Sequence, residues 1–110
     1  MLVQILFWIF MATASSQAAT YTVNSTSDLP LTAGMCNGTG TCTLRAAIQA
    51  ANNTPDIADN ISLPAGTYIL TATGAGEDLA ATGDLDITDI NLTITGAGSG
   101  STIIDGNSKI

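Results

Sequence analysis

Histidine is absent from this 110-residue chain. Its absence excludes Ser–His–Asp and Cys–His catalysis and every imidazole-based metal site. Positive charge is almost as scarce. Arg45 and Lys109 are the only cationic side chains against nine acidic ones, a net charge of −7. Nucleic acid and anionic membrane surfaces are thereby excluded as partners, because both need clustered positive charge. Charged residues of either sign make up only 10% of the chain. Spaced Ile, Leu and Val nevertheless provide a core, so the composition is not that of a disordered protein. No apolar run reaches the roughly 20 residues that a transmembrane helix needs.

The longest apolar run is residues 2–12. Small residues follow it, and Ser16-Gln17-Ala18 fits the small-x-small rule for signal cleavage after Ala18. Residues 1–18 are therefore expected to be an export signal. The usual basic segment before the apolar run is missing, so either the true start is expected to lie upstream or the start codon to be misassigned. A buried N-terminal helix is the competing reading, and it is weakened by the run having no polar face to turn outward. Export makes the two cysteines readable. Cys36 and Cys42 flank a Gly- and Thr-rich loop, and an even count in an oxidising compartment predicts a disulfide between them. Zinc would find two thiolates and no imidazole, and the spacing is not C-x-x-C.

Residues 20–22 predict a short strand. Leu44, Ala47, Ile48 and Ala51 fall at i, i+3, i+4 and i+7, which predicts a helix over 43–53 with one apolar face. Thr41 or Thr43 can cap its start. Asn52 or Asn53 can close it in left-handed geometry before Pro55. Short strands are expected at 61–63, 67–72, 85–87, 92–94 and 102–104. An internal repeat organises them: residues 70–76 (LTATGAG) recur at 92–98 (LTITGAG) with one difference. Such a repeat predicts an all-β fold, the start of a right-handed parallel β-helix capped at its N-terminal end by the short amphipathic helix. Ile61, Leu63, Tyr68, Leu70, Leu85, Ile87, Leu92 and Ile94 would point inward. An antiparallel sandwich is the alternative, since it too has regularly spaced strands. Three parts follow: 1–18, the signal; 19–58, strand, disulfide loop and capping helix; and 59–110, the first coils.

The string from Cys42 to Asn52 (CTLRAAIQAAN) resembles the signature of the CSLREA domain, with Ala46 where that signature carries Glu. The likeness continues through residues 61–68, 83–87 and 92–98. It implies an exported, bacterial, pectin-lyase-like β-helix, secreted or on the cell surface, the outer membrane included. It also implies that further coils follow residue 110, so the chain is expected to be truncated and its last strand edge exposed to self-association.

Chemistry has few candidates. Glu77, Asp78, Asp84, Asp86 and Asp89 form an acidic group. Asp84 and Asp86, two apart on an expected strand, would face outward and with Asp89 could hold calcium, which takes oxygen ligands. Asp at turns more often satisfies local backbone amides. Arg45 is expected in a surface or structural ion pair. Thr71, Thr73, Thr93 and Thr95 form a polar strip, a surface for carbohydrate or simply exposed strand residues. No catalytic residue and no cofactor other than calcium is assigned. The expected role is therefore structural, adhesive or carbohydrate-facing, with carbohydrate or another surface protein as partner. The alternative is the first part of a polysaccharide lyase or glycoside hydrolase whose active site lies beyond residue 110.

Overall fold

The computed structural model describes residues 18–55, 57–74 and 79–108. The export signal, Glu77, Asp78 and Lys109 lie outside the described residues, apart from Ala18 at the signal's end. Strand β1 (Thr20–Thr22) comes first, then helix α1 (Leu44–Asn52), β2 (Asp59–Leu63), β3 (Gly66–Ile69), β4 (Leu92–Gly96) and β5 (Thr102–Asp105). One sheet has the order β1-β2-β4 and a second has β3-β5. Every pairing is parallel: Tyr21 faces Ile61, Ile61 faces Ile94, and Tyr68 faces Ile104. Parallel neighbours need crossovers. The disulfide loop and α1 make the first, between β1 and β2, and β3 with residues 70–91 makes the second.

The helix forms as its pattern dictates. Thr43 is the N-cap: its Oγ1 accepts from the Ala46 amide at 3.0 Å and donates to the Leu29 carbonyl at 2.7 Å. The capping group thus anchors the helix start to the loop as well. Leu44, Ala47, Ile48 and Ala51 are all buried, and α1 packs on β2. The expected left-handed closure is absent. Asn53 ends the helix in right-handed geometry, its amide shared between the Gln49 and Ala50 carbonyls. Asn52 is committed elsewhere: its side chain donates to the Asp86 carbonyl at 2.8 Å and accepts from the Thr88 and Asp89 amides.

Among the described residues the core is a cluster in which Val23, Ile48, Ile61, Leu63 and Tyr68 meet. Burying each such side chain stabilises the fold by about 1.5–3 kcal/mol. Alternation in β2 is strict, with Asp59, Ile61 and Leu63 buried and Asn60 and Ser62 exposed.

The expectation of an all-β, right-handed parallel β-helix is corrected by this structure. The described residues form one helix and two small parallel sheets, not a solenoid. The antiparallel alternative fails too, because the strands run parallel. The near-duplicate heptad accounts for the difference, since the described part of its first copy, residues 70–74, forms no strand where its second copy does. The second copy forms β4. In the first copy, β3 has ended at Ile69, and the amides of Thr71 and Ala72 turn to the Asp28 carboxylate, at 2.7 and 2.8 Å. Amides bound to a side chain cannot join a ladder. No strand forms at 85–87 either. Ile61, Leu63, Tyr68 and Leu70 point inward as expected, while Leu85, Leu92 and Ile94 are only partly buried. Ile87, expected inside, is 50% exposed.

Candidate functional site

Arg45 occupies the helix position after Leu44 and is fully buried, at 0% exposure. A buried guanidinium must find acceptors for its donors. Nε donates to Asp28 Oδ1 at 2.8 Å and Nη2 donates to Asp28 Oδ2 at 3.0 Å, a two-pronged pair. The remaining donors reach the carbonyls of Ala80 at 2.9 Å, Gly83 at 2.7 Å and Asp84 at 3.4 Å. One side chain therefore ties α1 to the loop after β1 and to the 80–84 loop. Through the second bonds made by Asp28 Oδ2, it also fixes the segment after β3.

The loop backbone is shaped to present these carbonyls. Ala80 and Gly83 both have positive φ, 61° and 68°. At Gly83 a side chain would run into the Gly74 carbonyl, so glycine is required there. Ala80, fully buried, holds a left-handed backbone that costs roughly 1–2 kcal/mol for a residue with a Cβ. The Arg45 bond to its carbonyl helps to hold it there. The Asp28 side chain is 3% exposed. Burial pushes its carboxyl up, but the Arg45 hydrogen bonds, the Ala72 and Thr71 amides and the Arg45 charge together bring it below its ordinary value.

The acidic candidates do not converge. Asp84 is exposed and offers its carbonyl to Arg45. Asp86 accepts from the Ala80 amide at 3.4 Å. Asp89 is 3% exposed; its Oδ1 accepts from the Asn91 amide at 2.8 Å, and its buried Oδ2 has no hydrogen-bond partner among the described residues. No three acidic or Cys side chains among the described residues are grouped to hold a metal ion. The strand expected to carry Asp84 and Asp86 is absent, so the outward pairing inferred from it is corrected as well.

A second buried carboxylate, Asp59, opens β2 at 1% exposure. Its Oδ1 accepts from the Ala19 backbone nitrogen at 3.1 Å and its Oδ2 from Thr54 Oγ1 at 2.9 Å. Burial, and then the charge of Asp59, push the Tyr21 phenol up; a Thr54 hydrogen bond works against them, and the Asp89 charge adds the smallest upward push. Neither Arg45 nor Asp59 was legible as a buried polar group. Asp28 lies 17 residues from Arg45, and although Thr54 is five residues from Asp59, the Ala19 nitrogen on its other oxygen is 40 away, beyond any local pattern.

Cys36 and Cys42 form the disulfide, with Cα atoms 4.5 Å apart. Within the loop, Asn37 Oδ1 accepts from the Thr39 and Gly40 amides, both at 3.1 Å. Asn24, just after β1, donates to the Gly40 carbonyl and accepts from the Cys42 amide. The loop thus lies along β1, with a cleft of about 260 Å³ lined by Thr20, Thr22, Asn24 and the disulfide. Thr93 and Thr95 are exposed on β4, while Thr71 and Thr73, also exposed, lie outside any strand. The expected continuous threonine strip is therefore broken. No helix among the described residues is long and apolar enough to cross a membrane. Comparison with family profiles, with curated proteins and with solved structures finds no match.

Proposed function

We propose that this chain is an exported, non-catalytic structural segment of a secreted or cell-surface protein, with an adhesive or carbohydrate-facing outer surface. One observation carries the reading. Arg45, the one cationic side chain among the described residues, is fully buried and engaged by Asp28 and three carbonyls. A group that neutralises a polysaccharide carboxylate must be reachable by substrate, and this one is not. The Cys36–Cys42 bond supports an oxidising destination. The apolar run at 2–12 and the likeness to the CSLREA signature support export from a bacterial cell. Partners are then carbohydrate, another surface protein or a second copy, at the polar faces and free strand edges.

The test is expression of the full chain in an exporting bacterial host. The expected product lies outside the cytoplasm, lacks the leader, and shows no free thiol until reduced. It releases no unsaturated or reducing ends from acidic or neutral polysaccharides. Retention in the cytoplasm with both thiols free, or steady polysaccharide turnover by the purified chain, would contradict the reading.

A further inference from the structure

Two carboxylates are buried at the end of the sheet where β1 and β2 begin, and no cationic side chain among the described residues faces them. Arg45 is engaged by Asp28. Asp59 is 1% exposed and Asp89 3% exposed, both charges bear on Tyr21, and Asp89 Oδ2 is unpartnered. Buried charge without a counter-charge is costly. Hydrogen bonds tie the segments of both to the end of α1 and the turn after it. Thr54 links Asp59 to the turn after α1, Asn91 donates to the Pro55 carbonyl of that turn, and Asn52 accepts from the Asp89 amide.

The atom on Asp59 Oδ1 is the backbone nitrogen of Ala19. Ala19 is also held by its carbonyl, which accepts from the Asn60 amide at 2.8 Å, so its position is fixed on both sides. In the unprocessed chain this nitrogen is a neutral amide. Hydrolysis of the Ala18–Ala19 peptide bond adds one water, leaving a carboxylate on Ala18 and an ammonium on Ala19. The small-x-small site places the cut at that bond.

We infer that the Ala18–Ala19 bond is the maturation site and that its cleavage creates the missing counter-ion, an α-ammonium paired with the buried Asp59 carboxylate. Processing then locks β1 onto β2 and completes the fold. The inference deepens the export reading and rests on it. The titratable group on the new terminus is Asp59 of β2; Tyr21 on β1 and Asp89 before β4 are the other titratable groups of that end of the sheet, Tyr21 feeling the charge of both carboxylates. An α-amino group titrates at about 7.7–8.0 in free peptides. Pairing raises that value in the folded state. The stabilisation is therefore full below about pH 7 and is lost as pH rises through the raised value.

The experiment uses the exported chain carrying Lys109→Arg, which leaves the α-amine as its only acylable amine. Mass spectrometry reads the first residue, and thermal melts are recorded before and after N-terminal acetylation, at pH 6 and pH 10. Acetylation keeps an N–H on Asp59 but removes the charge. The expected results are Ala19 as first residue, a fall in Tm of about 4–8 °C on acetylation at pH 6, and a much smaller fall at pH 10. In Asp59→Asn, acetylation should no longer matter; if that variant does not fold, the pH contrast decides alone. Ala19 as first residue with no acetylation effect overturns the ion pair and leaves the export reading standing. A different first residue overturns the assigned site, and a retained leader overturns both.

Discussion

Arg45 and Asp28 show how much one pair of side chains can organise. Four hydrogen bonds meet at the Asp28 carboxylate, two from Arg45 and two from the Thr71 and Ala72 amides. All favour its charged form, and they bring its carboxyl below its usual value despite burial. A depressed carboxyl contributes stability above its unfolded value, 3.8, and loses it as pH falls through the folded one. Stability is therefore expected to be flat from about pH 5 to 7 on this account and to fall steeply below about pH 4. In Asp28→Asn the acid limb of a urea-midpoint profile should flatten; an unchanged limb would show that other carboxylates set it. An ion pair for Arg45 was expected, and the structure shows one; its partner and its burial were not legible. The sequence places Arg45 beside Leu44, off the Leu44–Ala47–Ile48–Ala51 stripe, where a solvated ion pair is the ordinary outcome. Its burial follows from the 80–84 loop closing over it, a tertiary event.

At the scale of elements, legibility depended on how local the determining contacts are. Helix α1 was readable because an apolar stripe and a Thr cap act within a few residues. The disulfide was readable from two cysteines six apart. The heptad repeat misled, because Asp28 captures the amides of one copy and leaves the other free to pair with β2. Removing the disulfide by Cys36→Ser with Cys42→Ser should cost about 2 kcal/mol for so small a ring. Hydrogen exchange should quicken first at the Cys36 amide, which bonds the Thr41 carbonyl, while the β2 amides stay protected. Equal loss of protection in both places would mean that the loop is integral to the sheets. In β4, Leu92 is partly buried against the core and Thr93 is exposed. Leu92→Asp is accordingly expected to cost about 1–3 kcal/mol and Thr93→Asp less than about 0.5 kcal/mol by chemical denaturation. Similar losses from both would refute the assigned faces.

Across the whole molecule, the two ends of the three-stranded sheet are finished differently. The outer side of β1 is flanked by the disulfide loop, whereas β4 is the last strand of its sheet. Beside it, Leu63, Ile94 and Ile104 line an open groove of about 430 Å³, and Ile103 and Ile104 are 45% and 49% exposed. Free edges with apolar neighbours pair with other strands. Sedimentation velocity of the purified chain should thus show concentration-dependent association that Ile103→Lys suppresses; a monomer at every concentration would contradict this. The parallel direction of the strands was anticipated from the repeat, but their number and arrangement in two small sheets were not.

The claim beneath the functional reading is that the buried cation holds the fold together and serves no substrate. The most direct measurement is the unfolding free energy of Arg45→Met against the parent chain. Removing one partner of a buried pair leaves Asp28 charged without its counter-ion, so a loss of about 3–5 kcal/mol is expected. A change within about 0.5 kcal/mol, the range of an ordinary surface substitution, would contradict the account.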